Sequence, residues 1–299
     1  ESLERFFAEM QDERFDLAIQ MHGGGRHSNP FLLRLGARLT AGLRTPALGQ
    51  PFPAEANRRL LAASAAWHFA ATALGRDNLL REGVPGGRIF VTGNPVVDAL
   101  RAVVSRLPRH PQETPPVLIT AHRRESFGHG LEAICRAVGR LARAHPDMPF
   151  EFPVHPNPEV RRAVDRWLAR GLPNLRLLQP LPYPEFIRRL AGARLVLTDS
   201  GGIQEEAPAL GVAALVMRRV TERPEALAAG CRLVPPEEDA IVRAAERMLR
   251  PPRAGILERP ACPFGDGKAA ERILAALGWI FGHSRKKPKA FVYKARGIV

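Results

Sequence analysis

The chain has 299 residues, of which 45% are hydrophobic and 25% charged, a balance that excludes a fibre and wholesale disorder. Its length suits two domains of about 150 residues each. With 44 Lys and Arg against 30 Asp and Glu the net charge is +14, yet no apolar run reaches the ~18 residues of a membrane span.

In chain order, Phe15–Met21 predicts a strand ending at His22-Gly23-Gly24-Gly25. Ala54–Ala66 and Thr72–Glu82 predict helices, and Arg88–Thr92 predicts a strand. A segment rich in Pro and Arg, Leu100–Pro116, reads as an interdomain linker. Strands then alternate with amphipathic helices. The strands are Pro116–Thr120, Phe150–Val154, Asn174–Leu178, Arg194–Thr198 and Ala213–Met217. The helices are Leu131–Ala144, Pro158–Arg170, Tyr183–Ala191, Ile203–Leu210 and Ala240–Leu249. This rhythm predicts an α/β fold with a parallel, doubly wound sheet that binds ligands at the C-terminal ends of its strands. A complete Rossmann-type domain would show more strands before residue 15, so the N-terminal one is expected to be incomplete. The expected domains are 1–105 (N-terminal), 106–268 (C-terminal), a crossover helix at 269–283 and a basic tail at 284–299.

Four post-strand loops carry side chains suited to chemistry. In Leu197–Pro208, two glycines and a helix start follow a strand. The helix N-terminus suits a diphosphate, and Glu206 lies about one turn in, where a carboxylate accepts ribose hydroxyls. The other reading is a tight turn whose acids complement the helix dipole. In Thr120–Gly128, His122 with two arginines suits an anion, or His122 is a satisfied loop residue. Glu222 and Arg223, in Thr221–Glu225, form a surface ion pair or reach the same ligand. His155 sits in the proline-fixed turn Phe152–Pro158, where a structural role is the larger share.

Together with Ala41–Thr45, Pro53–Arg58, Val91–Leu100 and Pro263–Lys268, these loops resemble the non-hydrolysing UDP-N-acetylglucosamine 2-epimerases from about Leu43 to Leu277. The resemblance implies a GT-B-like fold, two Rossmann-type domains facing a cleft. It implies interconversion of UDP-GlcNAc and UDP-ManNAc without cofactor or metal, by anti-elimination of UDP and its re-addition to a 2-acetamidoglucal. Such chemistry needs carboxylates as acid and base. Cations and helix N–H groups must stabilise the departing diphosphate. By position, Glu55 and His122 are the implied catalytic residues. His122, Ser200, Gly201, Gly202 and Arg223 are implied at the diphosphate, Glu206 at the ribose and Phe186 near the uracil. A homodimer is implied as well.

The chain also departs from that pattern. Gly24 and Thr40 occupy positions where the family carries catalytic carboxylates, and a family arginine and lysine near the N-terminus have no counterpart. Phe15–Ala41 is more similar to heptosyltransferase-type glycosyltransferases. Two alternatives therefore stand beside an epimerase, intact or impaired: a GT-B glycosyltransferase and a non-catalytic UDP-binding relative.

The charge divides unevenly. Four of the five lysines lie in Ser284–Val299, which holds six basic residues and no acid, leaving +8 for the rest. Elsewhere arginines alternate with acids, as in Glu159–Arg166, which reads as a solvated face. No zinc-finger spacing or aromatic-rich basic strand is present, so no nucleic-acid partner is expected. The tail reads as a disordered basic extension or a frameshifted end. The acidic start Glu1–Glu4 lacks a signal-peptide pattern. Cys135, Cys231 and Cys262 are odd in number with no CxxC spacing, which fits buried thiols in a reduced, cytoplasmic protein.

Overall fold

A computed structural model describes residues 17–19, 39–41, 62–106, 114–168, 171–250 and 262–293. The chain forms two compact units, residues 1–68 and 69–299. In the first, β1 (Leu17–Ile19) and β2 (Leu39–Ala41) pair in parallel, with Leu17 opposite Leu39 and Ile19 opposite Ala41. The strand expected near residue 17 is thus present, and its partner, which contains Thr40, is an addition. Of the helix expected over 54–66, only 62–64 are described as helical. Gly24 and Glu55 lie outside the described residues.

β3 (His68–Ala70), all but its first residue in the second unit, and β4 (Ile89–Val91) form a small sheet. Between them runs α1 (Ala73–Arg81), started by Thr72, whose Oγ1 accepts the Gly75 N–H at 3.0 Å. Asn94 starts α2 (Pro95–Val104) in the same way, accepting from the Val96 N–H, with Pro95 at the first helical position. The expected linker is corrected here. Leu100–Val104 is helix, and Leu100 and Val97 are fully buried, so this half of the segment is core rather than connection.

The main sheet has six parallel strands. They are β5 (Val117–Thr120), β6 (Phe150–Pro153), β7 (Leu175–Leu178), β8 (Leu195–Thr198), β9 (Ala214–Met217) and β10 (Cys231–Val234). Their order is β10-β9-β8-β5-β6-β7, with Val117 opposite both Leu195 and Phe150. The chain builds outward through β6 and β7, returns to β8 on the other side of β5, and builds outward again. β10 is not evident in the sequence because Cys231-Arg232-Leu233-Val234 is short and exposed at Arg232, as an edge strand can be.

Period-two alternation sends successive strand residues to opposite faces. Val117, Ile119, Phe150, Phe152, Leu195, Leu197, Leu215 and Met217 pack with α3 (His129–Ala144), α4 (Pro158–Leu168) and α7 (Glu238–Leu249). Leu118, Val196, Ala214 and Val216 face α2, α5 (Tyr183–Ala191) and α6 (Ile203–Leu210). Both faces are covered, which is why the central strands are apolar runs without polar positions. The exceptions are Thr120 and Thr198, at the ends of β5 and β8, and Glu151, buried on β6, which Arg189 of α5 meets at 2.6 Å. Arg189 also donates to Glu185, so the pair fixes α5 against the sheet.

The last helix, α8 (Ala269–Ile280), is started by a residue distant in sequence. The Asp98 carboxylate of α2 accepts the Ala269 and Ala270 N–H groups at 3.1 and 2.9 Å. In the connecting loop, Phe264 is buried and its carbonyl accepts the Asn94 N–H. Gly93 (φ +85°) approaches this loop so closely that a Cβ there would lie 3.3 Å from the Gly265 Cα. The tail is also corrected. Residues 284–293 are anchored at Phe291, whose N–H donates to the Val91 carbonyl at 2.8 Å and whose ring is buried beneath Arg272, while Lys286, Lys287 and Lys289 are exposed.

Asp98→Ala removes the acceptor for two first-turn amides. By the usual cost of a lost cap, it should destabilise the chain by about 1–2 kcal/mol in urea unfolding.

Candidate functional site

The strand order reverses between β5 and β8, so the loops leaving those strands diverge and open a crevice at their C-terminal ends. Thr120 and Thr198 end the two strands side by side, their hydroxyls sharing a buried hydrogen bond of 2.7 Å. One residue on, Asp199 is fully buried. Its carboxylate accepts the His122 N–H at 3.0 Å and the Arg123 N–H at 2.9 Å. A buried carboxylate is costly unless its lone pairs are met, and these backbone amides meet them. Asp199 thereby fixes the loop of β5 to the end of β8. His122 leaves this anchored backbone with its ring half-exposed and stacked on His155, centroids 5.5 Å apart. His155 belongs to the next strand's loop, and its Nδ1 accepts the Asn157 N–H at 3.1 Å. Burial and the neighbouring His122 lower its pKa.

α6 follows β8 after Ser200-Gly201-Gly202. The first amides of a helix have no carbonyl of their own to meet, so they present donors toward the crevice. Neither glycine needs a positive φ. Gly201 instead lets the Arg223 guanidinium lie close: a Cβ there would stand 3.0 Å from its Nη1 and push it outward. Arg223 donates through Nε to Glu205 at 2.5 Å, and Glu205 also accepts from Asn94 Nδ2 at 2.6 Å. The guanidinium is thus held by Nε, with its Nη end over Gly201. Gln204 is buried, donating to the Ser200 carbonyl and accepting from the Thr221 hydroxyl, which ties the start of α6 to the loop after β9. Pro208 lacks an N–H for the carbonyl of Gln204. The Cys231 thiol approaches that carbonyl at 4.0 Å, and the Cys262 thiol lies 3.9 Å from the next one. All three cysteines are free, and burial pushes the Cys135 and Cys231 thiols up to about 12.

Glu206 lies one turn into α6 and is buried, which raises its pKa; the hydrogen bond from Tyr183 Oη at 2.9 Å works against the rise, and the charge of Glu205 adds to it. Tyr183 opens α5, so this bond joins the starts of two helices. Glu222 is partnered chiefly by buried Arg218, whose Nη1 donates to it at 2.6 Å, and by Arg123 at 3.2 Å. Burial pulls the Glu222 carboxyl upward, but the Arg218 hydrogen bonds, its own backbone and the charges of Arg218 and Arg123 outweigh it and hold the pKa at about 2.

His122, Ser200, Gly201, Gly202, Glu206 and Arg223 therefore sit on the loops and helix start at the ends of adjacent strands. Phe186 is half-buried against the α2–α5–α6 core, one turn beyond Tyr183. Glu55 is outside the described residues. Asp199, Glu205, Tyr183, Asn94 and Arg218 were not singled out from sequence; only the spacing Asp199-Ser200-Gly201 hinted at the first. Among the described residues, no group of three or more His, Cys, Asp or Glu side chains is arranged to hold a metal ion.

The family model described as UDP-N-acetylglucosamine 2-epimerase matches residues 37–278. A probable UDP-N-acetylglucosamine 2-epimerase of Ralstonia nicotianae is 48% identical over 255 residues, covering 80% of this chain and 68% of that one. The UDP-N-acetylglucosamine 2-epimerase of Escherichia coli K12 is 45% identical over 253 residues, covering 79% and 67%. Among solved structures, the S. aureus MnaA–UDP co-structure is similar with a TM-score of 0.79 and 31% identity, over 97% of this chain and 81% of that one. The UDP-GlcNAc 2-epimerase of Neisseria meningitidis bound to UDP-GlcNAc has a TM-score of 0.72 and 32% identity, over 92% and 79%. The fold class is α/β and GT-B-like.

Asp199→Asn replaces one amide-accepting oxygen with a donor facing a donor. It should destabilise the chain by about 1–3 kcal/mol in urea, the cost of leaving a buried polar group unmet. Glu222→Gln, at a half-exposed pair, should cost less at neutral pH. Because the folded pKa of Glu222 lies below its ordinary 4.5, its contribution is present above pH 4.5 and lost as pH falls toward about 2. Stability curves over that window should fall more steeply for the parent chain than for Glu222→Gln.

Proposed function

Because the chain belongs to the UDP-N-acetylglucosamine 2-epimerase family, we propose that it binds UDP-GlcNAc and interconverts it with UDP-ManNAc. The observation that carries this reading is the Ser200-Gly201-Gly202 turn at the start of α6, with the Arg223 guanidinium packed over Gly201 and Glu206 one turn in. A diphosphate at the turn meets first-turn amides and the Nη end of Arg223. The ribose hydroxyls donate to Glu206, and His122 completes the anion's surroundings from the β5 side. Phe186, on the helix that Tyr183 opens, is assigned to the uracil.

The chemistry follows from where charge develops. The C2 proton of the sugar is weakly acidic, so its removal must be coupled to departure of UDP, which acquires charge at the bond to C1. Arg223, His122 and the amides of α6 are assigned to that charge, since donors held in advance lower the barrier without reorganisation at the moment of reaction. UDP held in the same cradle then returns to the glucal while a proton is delivered to the other face of C2. Proton transfer needs a carboxylate. Glu55 is assigned that task with His122, since Gly24 and Thr40 stand where two further carboxylates are implied. Those two substitutions favour a second reading, a UDP-binding relative with weak turnover. We also propose a homodimer, which the family resemblance supports. A cytoplasmic location is supported by three free thiols, and among the described residues no helix is long and apolar enough to cross a membrane.

Proton NMR of UDP-GlcNAc with the purified chain should show UDP-ManNAc, and calorimetry should show UDP binding. Binding without turnover selects the second reading, and absence of UDP binding defeats both. The Glu206 pKa is raised, and its ionised form is the one that accepts ribose hydroxyls. UDP affinity should therefore increase as pH rises from about 4.5 through that raised value. Glu206→Gln should remove this pH dependence and weaken UDP by about 1.5–3 kcal/mol, roughly 10- to 100-fold, at pH above the transition.

A further inference from the structure

The diphosphate cradle does not account for the lysine-rich tail. Residues 284–293 lie back against the small β3–β4 sheet and are held there by the Phe291–Val91 backbone bond and the buried Phe291 ring. Between tail and sheet is a cavity of about 190 Å³. Its floor is Ile89, Phe90, Val91 and Thr92, all buried. Its charged lining is Arg76, Arg272, Lys287 and Lys289, and no carboxylate lines it.

The four cations differ in how they are held. Arg272 is clamped by two bonds of 2.7 Å to Asp266, with Nη1 also donating to the Thr92 carbonyl. Arg76 pairs with its neighbour Asp77 at 2.7 Å. Lys287 Nζ lies over the rings of Phe90 and Trp279 at 5.5 and 5.4 Å, contacts that orient the ammonium without neutralising it. Among the described residues, neither Lys287 nor Lys289 has a carboxylate within salt-bridge distance. Two lysines without a carboxylate partner thus belong to the lining of a cavity whose floor is largely apolar, which concentrates positive potential there.

We propose that this cavity is a second anion site, distinct from the cradle at α6, that takes a phosphate-type anion, either inorganic phosphate or a small phosphomonoester. The size argues for a small ion, since drug-sized ligands occupy about 300–1,000 Å³. The lining argues for an oxyanion: its cations come from three elements, Lys287 and Lys289 from the tail, Arg76 from α1 and Arg272 from α8. A single-stranded nucleic acid would need a groove that continues beyond one phosphate, with bases stacked on exposed rings. Here Phe90 is buried and already lies beneath Lys287. The tail is what completes the cavity, so the chain's concentration of lysine at 286–289 has a folded-state purpose.

Calorimetric titration of the full chain with inorganic phosphate and, separately, with glycerol 3-phosphate, at ionic strength matched by chloride, tests the proposal. Binding is expected for at least one probe, and the tighter one identifies the source of the anion. Lys289→Gln should weaken it by about tenfold or more, as loss of a charge-assisted contact does. Lys289→Arg should retain it. Arg76→Gln, on the opposite wall, should reproduce the loss, and Arg223→Gln, in the α6 cradle, should leave it intact. No binding beyond the chloride control overturns the proposal. So does binding that Arg223→Gln abolishes while Lys289→Gln leaves it unchanged. Binding of a short single-stranded oligonucleotide alone, with neither small probe bound, overturns it in favour of a nucleic-acid surface.

Discussion

One buried carboxylate holds the two halves of the main sheet's ligand edge in register. Asp199 ends β8, and its oxygens are met by the His122 and Arg123 amides from the loop of β5. These strands flank the point at which strand order reverses, where the chain's own connections leave a crevice. Without an acceptor there, the two loops would have unmet buried amides and no common geometry. The positions of His122, by its backbone, and of Ser200 to Gly202, by their attachment to Asp199, follow from this contact.

A second layer of ion pairs places the positive charge. Arg223 is held chiefly by Glu205, which is itself tied to Asn94 at the start of α2, with Glu222 3.8 Å from its Nη1. Arg218 and Arg123 are drawn together by Glu222 in the same manner. In each case an acid orients a guanidinium: Glu205 of α6 holds Arg223 by Nε, and Glu222 holds Arg218 and Arg123 by their Nη groups. Arginine suits this task better than lysine, because its planar fork can be held at one nitrogen and present the others. The near absence of lysine from the body of the chain is consistent with guanidiniums being the groups that need fixed directions.

The sheet and its helices were legible in sequence because both faces of each central strand are buried. Runs such as Val117-Leu118-Ile119 and Leu195-Val196-Leu197 have no polar position to confuse the period, and Pro184 and Thr72 mark helix starts. β10 escaped because it lies at the edge. The first residues of the expected linker, Leu100–Val104, are helix because Pro95 is a helix start, and Arg101 faces outward from a helix whose other side is Val97 and Leu100. Among site residues, those on the Gly-Gly turn were legible from local pattern. Asp199, Glu205 and Tyr183 were not, since their roles depend on partners 77, 18 and 23 residues away.

The tail illustrates how far composition alone misleads. Six basic residues without an acid read as a solvated extension, because repulsion along such a segment opposes compaction. What overrides the repulsion lies elsewhere in the chain. Phe291 supplies an apolar anchor, β4 supplies an unpaired carbonyl at Val91, and Phe90 with Trp279 supplies a π-surface for Lys287. Burial of one phenylalanine contributes about 1.5–3 kcal/mol, and a cation–π contact about 0.5–1 kcal/mol at an exposed site. These gains act on a segment whose charges also separate along the chain, with Pro288 between Lys287 and Lys289. Both lysines line the cavity between the tail and the small sheet. An anion arriving there would relieve the remaining repulsion, so that binding and docking of the tail should stabilise one another.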